Sequence, residues 1–368
     1  HLCFSKYLRL DGARTSRFVR AAKVLLDAGA SANTGFWDAA HQPSPEWESA
    51  LYGAAGVARN PALTKLLLDH GADPNDEETP YHAPETHDNE TLKILVESGK
   101  LTDDSLATML LRKADWHDTD GIAFLLAQGA DPNRMTRWNH TALHQAIRRD
   151  NALVNIQMML DHGADLTIAN RKDGRSAVVL AARRGRADIL ELFEQRRCPI
   201  EVQGVDRLIA SCARNDTAQI MAIREDEPHL VRDLLAEGGT LLAEFAGTAN
   251  TDGIRQLLYL GVKVDLLYEG DGYFEIPNKS TALHVAAWRA WHDTVKFLIE
   301  AGAPIDALDA KGRTPLALAV RACVNSYWAY RRSPESVKAL LDAGASVGDV
   351  NYPTGYDDVD DLLRQCAA

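Results

Sequence analysis

The sequence is poor in cysteine. Its five, Cys3, Cys198, Cys212, Cys323 and Cys366, are far apart, odd in number and form no Cys-x-x-Cys. This argues against a disulfide framework or a thiolate zinc site, and makes a reducing compartment, the cytoplasm, the expected location. No apolar run is long enough to span a membrane, so no membrane partner is expected. Positive charge is in deficit: 40 Lys and Arg stand against 52 Asp and Glu, a formal net charge of −12. Phosphate recognition needs a basic face, which argues against a general nucleic-acid binder. No secretory leader is visible, but the chain opens on His1 rather than Met, and a regulatory part of a longer protein is one expectation.

What the chain does have is a pattern that returns. Residues 281–302 read as two short helices and a stop. Thr281 supplies a hydroxyl at a helix start, and Leu283, Ala286 and Ala287 follow at helical spacing. Ala290-Trp291-His292 makes a bend, Val295, Phe297, Leu298 and Ile299 give a second apolar face, and Gly302 ends it as a left-handed cap. Such a pair cannot bury its apolar faces alone and needs neighbours of its own kind.

Those neighbours are present. Thr141-Ala-Leu-His144 repeats Thr281-Ala-Leu-His284, and Ser49–Tyr52, Thr79–His82 and Thr314–Ala317 are variants. The stop recurs as Leu-Leu-Asp-Ala-Gly-Ala, Leu-Leu-Asp-His-Gly-Ala-Asp-Pro-Asn and close relatives, at residues 25–30, 67–75, 125–133, 159–165 and 340–345. The chain resembles the ankyrin repeat, with its Thr-Pro-Leu-His-x-Ala helix start and a period of about 33 residues. The resemblance implies an all-α ankyrin-repeat solenoid of stacked helix-turn-helix units with short β-hairpin fingers. Stops at Gly29, Gly71, Gly99, Gly129, Gly163, Arg197, Gly238, Gly261, Gly302 and Gly344 mark about ten units, some degenerate. The expected organisation is one solenoid over 1–368: an N-terminal stack, 1–197; an irregular bend, 198–262; and a C-terminal stack, 263–368, with two insertions and an acidic cap helix.

The departures from the pattern are informative. Residues 1–33 place Phe4, Tyr7 and Leu8 on one helix and Val19, Ala22, Val24 and Leu25 on the next; Lys6, Arg9, Arg14, Arg17, Arg20 and Lys23 make this stretch basic, read as a solvated outer face or cap in preference to a patch for an acidic partner. Residues 34–48 are an insertion carrying Phe36, Trp37 and Trp47. Trp116-His-Asp-Thr119 returns as Trp291-His-Asp-Thr294, read as the same inter-helix bend with Trp packing between repeats. Arg197 stands where the stop usually has Gly, at a cost of up to about 1 kcal/mol. From Gly238 to Gly261 the interval is well short of a full repeat, so the solenoid should bend or lose a finger there. Residues 263–280 make an enlarged finger turning at Glu269-Gly-Asp-Gly272, and Asn325–Ser333 is a second insertion.

The resemblance makes His82, His144 and His284 structural, hydrogen-bonding within and between fingers, and His70 and His162 parts of the repeat. Asp115, His117, Asp118 and Asp120 match no closed ligand set, and residues 269–272 lack calcium-loop spacing, so no metal is expected. Gly238-Gly239 is followed by no Gly-Lys-Ser/Thr, and no Gly-x-Ser-x-Gly occurs. No catalytic residue and no cofactor are expected.

What remains is surface. In the family, first helices and fingers line a concave face that binds other proteins. The two variable residues after Ala-Ala point there: Trp288 and Arg289, Arg321 and Ala322, Arg183 and Arg184. Trp288 is a large apolar group at a normally exposed position, and Trp, Tyr and Arg dominate binding hot spots. Tyr273 and Phe274 lie on the enlarged finger; Tyr327, Trp328, Tyr330, Arg331 and Arg332 lie on the second insertion. These aromatics either wall a groove or fold down over a gap in the stack. The expected function is a non-catalytic scaffold, a monomer, holding a protein or peptide segment near 273–332. The alternative is a small-molecule or enzymatic pocket between finger and insertion, with Asp271, Glu275 and His292 as its titratable groups.

Overall fold

Polar side chains start the helices where the sequence places them. Asn60 accepts from the Leu63 amide, Thr102 from Ser105, Asp118 from Gly121, and Thr314 from Ala317, each satisfying a donor that an open helix end leaves exposed. The computed structural model describes residues 2–5, 7–40, 44–198, 202–348 and 350–366; Lys6 of the basic stretch lies outside them. No helix among the described residues is long and apolar enough to cross a membrane. The chain divides into two compact units, residues 1–177 and 178–368.

In the first unit the helix pairs are Tyr7–Leu10 with Gly12–Asp27, Ala50–Tyr52 (continued as a π turn, Gly53–Val57) with Pro61–Asp69, Glu78–His82 with Glu90–Glu97, Asp103–Asp115 with Thr119–Ala127, and Ala142–Arg148 with Leu153–Asp161. First helices pack on first helices and second on second, as in Glu78–His82 on Asp103–Asp115 and Pro61–Asp69 on Glu90–Glu97. Leu63, Leu92, Leu95, Met109, Leu110, Ile122 and Leu125 are fully buried between them. An asparagine ladder ties the turns together. Asn33 donates to Gly71 O (3.0 Å) and accepts from Asp73 N (2.7 Å); Asn133 repeats this with Gly163 O (2.8 Å) and Asp165 N (2.7 Å).

Two expectations are corrected in this unit, the helix placement of Phe4 and the role of His82. Phe4 precedes the Tyr7–Leu10 helix rather than lying on it, while Val19, Ala22, Val24 and Leu25 do share Gly12–Asp27, which buries Ala22 and Leu26 and leaves Val24 and Leu25 exposed. The insertion 34–48 holds an antiparallel hairpin, Gly35–Asp38 with Glu46–Ser49, with Trp37 opposite Trp47 and their rings edge-to-face at 5.3 Å. His82 does not behave like His144 and His284. Those two accept at Nδ1 from Thr141 and Thr281 and donate from Nε2 to the next finger, at Arg175 O (3.2 Å) and Arg313 O (3.0 Å). The residues a repeat beyond His82 lie inside the Asp103–Asp115 helix, whose carbonyls serve the helix itself. His82 turns to carboxylates instead, Glu78 at 3.1 Å and Glu85 at 2.9 Å.

In the second unit, Ala177–Arg183 (which begins at the boundary residue), Gly204–Ala213, Gly238–Gly247, Ala282–Trp288 and Pro315–Val324 are first helices; Ala187–Gln195, Thr217–Asp226, Thr251–Tyr259, His292–Glu300 and Glu335–Asp342 are their partners. Pro228–Ala236 is inserted among them, and Asp357–Cys366 closes the chain. Glu227 and Glu237 each end one helix and begin the next, so no finger interrupts Thr217–Gly247. Gly238 is therefore the first residue of a helix, not a stop, and it is absent from the left-handed positions that Gly261, Gly302 and Gly344 occupy. Arg197 does take a left-handed φ of 55° in the cap position. At the shortened stretch, Asn250 donates to Gly185 O (2.8 Å) and Ala213 O (2.7 Å). A Cβ on Gly185 would come 2.7 Å from the fully buried Phe245 ring, so only glycine admits this contact.

The two Trp-His-Asp-Thr motifs are not in the same register. Trp116 is the C-cap of its helix and Asp118 the following N-cap, whereas Trp291 is itself the N-cap of His292–Glu300. Trp291 does bridge repeats, donating from Nε1 to Gly247 O (2.7 Å).

Candidate interaction surface

The enlarged finger folds over the first helix beside it. Tyr268 pairs with Ser280 and Asp271 with Ile276 as isolated bridges rather than regular strands. Gly270, at φ 98°, allows the close return: a Cβ there would stand 2.6 Å from Ile276 O. This lays Phe274 on Trp288, whose Nε1 donates to Phe274 O across 2.6 Å. Trp288 is 2% exposed, and Tyr268, Phe274, Ile276, Val285, Leu318 and Ala322 close around it. The expectation of an exposed Trp288 is thus corrected, because the long finger supplies both apolar cover and a hydrogen-bond acceptor.

Arginines fill the space between finger and insertion. The buried Arg289 guanidinium lies 4.1 Å from the Phe274 ring centroid and 4.4 Å from Trp328. Arg184 lies 5.4 Å from Phe274 and pairs with Glu244 at 2.7 Å. Glu244 also accepts from the Tyr268 hydroxyl at 3.1 Å; burial first, and then the Glu244 charge, hold that phenol well above its usual pKa. Arg321 lies over Trp288 at 4.4 Å and pairs with Glu275. Arg331 stacks on Trp291 at 3.6 Å and donates from Nη1 to Arg289 O at 2.9 Å. Each desolvated cation–π contact contributes about 0.5–2 kcal/mol, which adds to the hydrogen bonds of Arg331 with Arg289 O and His292 in holding the insertion down.

The insertion is half anchored, half open. Trp328 packs against the cluster, yet its indole N–H is buried without an acceptor among the described residues, unlike those of Trp288 and Trp291. Tyr273 is partly buried on the finger's edge. Tyr327 and Tyr330 are 75% and 74% exposed. Arg331 also bonds the Tyr330 hydroxyl, and Arg332 is exposed with its guanidinium 5.5 Å over Tyr356.

This filling answers the pocket alternative. Phe274, Arg289 and Trp328 occupy the space where a ligand was expected. Its candidate groups are engaged elsewhere: the Asp271 carboxylate accepts from Tyr273 N (2.9 Å), Glu275 pairs with Arg321, and His292 bonds Ser336 Oγ (2.7 Å) and Arg331 O (3.0 Å). Cys323 is buried, donates to Ser333 O, and has its thiol pushed up to about 11 by burial, which disfavours a thiolate nucleophile.

The family model described as "Ankyrin repeats (3 copies)" matches residues 110–204 and 241–351, more than half of the chain. The chain belongs to the ankyrin-repeat family. Among curated proteins it is similar to the human transient receptor potential cation channel subfamily A member 1, 26% identical over 295 residues. That alignment covers 77% of this chain and 23% of the relative, so the chain spans less than a quarter of the relative's length. Among solved structures, the crystal structure of the human ASB11 ankyrin repeat domain is 19% identical, with a TM-score of 0.31, covering 70% of this chain and 96% of that one. At that score the likeness adds nothing to the family match.

Ankyrin repeats are generally protein-interaction modules, and that coarse role is what membership gives this chain. Within it, the residues named from sequence fall into two sets. Trp288, Arg289 and Phe274 are buried and hold the ankyrin stack together; Tyr327, Tyr330 and Arg332 face outward, with Arg321, Arg331, Tyr273 and Trp328 between. Glu244 and Tyr268 belong to the cluster and were not singled out from sequence. No local signal marks them, since the hydrogen bond that joins them spans 24 residues.

Proposed function

We propose that this ankyrin-repeat chain is a non-catalytic scaffold that captures a protein or peptide segment at the edge formed by the enlarged finger and the Asn325–Ser333 insertion. The observation that carries the reading is the pair of tyrosines, Tyr327 and Tyr330, 75% and 74% exposed on an insertion anchored by Trp328 and Arg331. Large aromatics held outward on a fixed base are the composition of binding hot spots. The groups beneath supply rigidity, so little conformational entropy is lost on binding. The chain works as a monomer in the cytoplasm, a location in keeping with five free thiols and a net charge of −12.

The test is an affinity capture from the source lysate with wild type and a Tyr327→Ala/Tyr330→Ala variant. A protein retained by the wild type and lost by the variant supports the site. Equal retention by both removes it.

A further inference from the structure

The hairpin of the first insertion leaves one edge of its ladder open. Ala50 N donates to Thr34 O across 2.8 Å, and this bond sets the alternation of the antiparallel pair beside it. Phe36 with Glu48 and Asp38 with Glu46 are then the hydrogen-bonded pairs, so the amides and carbonyls of Gly35 and Trp37 point away from the partner strand. Among the described residues nothing bonds to them. Glu46–Ser49 lies against Glu78–His82, whereas Gly35–Asp38 packs mainly on Glu46–Ser49. Sheet edges are ordinarily blunted by proline, lysine or a bulge, and Gly35-Phe-Trp-Asp38 has none of these.

The side chains along that edge say what fits it. Trp37 shares a face with Trp47, and Phe36 lies on the opposite face, its ring 5.1 Å from that of Phe4. Both remain open, Trp37 at 66% and Phe36 at 45% exposure. A strand added here sets one residue opposite Trp37 and the next beside Phe36, and both places favour β-branched or aromatic side chains. Main chain already joins successive fingers elsewhere: Arg171 N donates to Asn139 O and Ala310 N to Asn278 O, each across 2.8 Å. A second copy fits poorly. The two antiparallel registers that pair its own strand with Trp37 set Gly35 against Trp37, or Asp38 against Phe36. We infer that Gly35–Asp38 takes up an extended segment of a partner protein as a third strand, with consecutive β-branched or aromatic residues against Trp37 and Phe36. Main-chain bonds supply affinity and the two rings supply specificity. This surface belongs to residues 1–177 and stands independently of the Tyr327–Tyr330 reading.

A display library of short random peptides, selected on the full chain, tests it, with Trp37→Lys as the variant. The position is exposed, and equal melting temperatures verify that the variant folds. The expected result is enrichment of peptides with consecutive β-branched or aromatic residues. Their binding should fall about tenfold with Trp37→Lys and stay unchanged with Tyr327→Ala/Tyr330→Ala. With such a peptide bound, amide exchange should slow at Trp37 and stay as it was at Phe36, whose amide already faces the partner strand. Peptides that need Trp37 but leave its amide exchanging freely would overturn strand addition. Peptides bound equally by wild type and Trp37→Lys, or no enrichment at all, would overturn the site. Self-association of the wild type that Trp37→Lys abolishes would give the edge to a second copy and overturn the partner.

Discussion

The indole N–H of Trp288 and the carbonyl of Phe274, 14 residues apart, form a 2.6 Å hydrogen bond inside an apolar cluster. A side chain that would ordinarily face a partner is here the peg on which the finger hangs. Trp288→Phe keeps most of the apolar volume and removes the donor, leaving a buried carbonyl unsatisfied, and is expected to cost about 1–3 kcal/mol in urea unfolding. Tyr330→Ala, at an exposed site, should stay within about 0.5 kcal/mol. Equal losses for the two would contradict the division between peg and contact surface.

His82 gives the chain an alkaline sensitivity. Burial alone lowers its pKa, but the hydrogen bonds that the ring donates to Glu78 and Glu85, with the charges of those carboxylates, outweigh this and raise it to about 9. The ordinary value of about 6.5 applies when the chain is unfolded. The stabilisation is therefore complete below pH 6.5 and is lost as pH rises through about 9. Buried His144 and His284 have the opposite sense: burial lowers their pKa, and stability falls as pH drops below about 6.5. An NMR titration should find His82 protonated and His144 and His284 neutral at pH near 7.5. His82 titrating near its ordinary value would contradict the paired geometry.

Lys113 is fully buried, with Nζ 2.6 Å from both Asp118 Oδ2 and Thr86 O. It clamps the loop after Glu78–His82 to the bend at Asp118. Lys113→Met strands the Asp118 charge and is expected to destabilise by about 3–5 kcal/mol. Adding Asp118→Asn should recover part of that loss in the same unfolding measurement. A neutral single substitution would contradict the clamp.

The asparagine ladder predicts a local effect. Asn133→Ala removes the bonds to Gly163 O and from Asp165 N, at about 1 kcal/mol each. Amide exchange should quicken at Asp165 well before the helices open. Unchanged protection at Asp165 would remove the ladder from the account.

Helix starts, stops and the repeat were legible in the sequence because local groups fix them: Thr281 and Thr314 cap, and Gly302 and Gly344 take left-handed φ. Arg197 was legible for the same reason. Trp288 was not, because its burial depends on how far the finger reaches and where Gly270 turns it. His82 carries the motif of His284, but its partner carbonyl is missing a whole repeat away. The register slip between Trp116 and Trp291 was hidden by four identical residues whose helices end at different points.

The most direct measurement is the capture experiment read together with stability. Wild type and Tyr327→Ala/Tyr330→Ala protein are matched for melting temperature, then compared for retention of partners from the source lysate. The account expects equal melting and loss of a specific retained protein from the variant. Equal melting with unchanged retention would contradict the assignment of the interaction surface to this insertion.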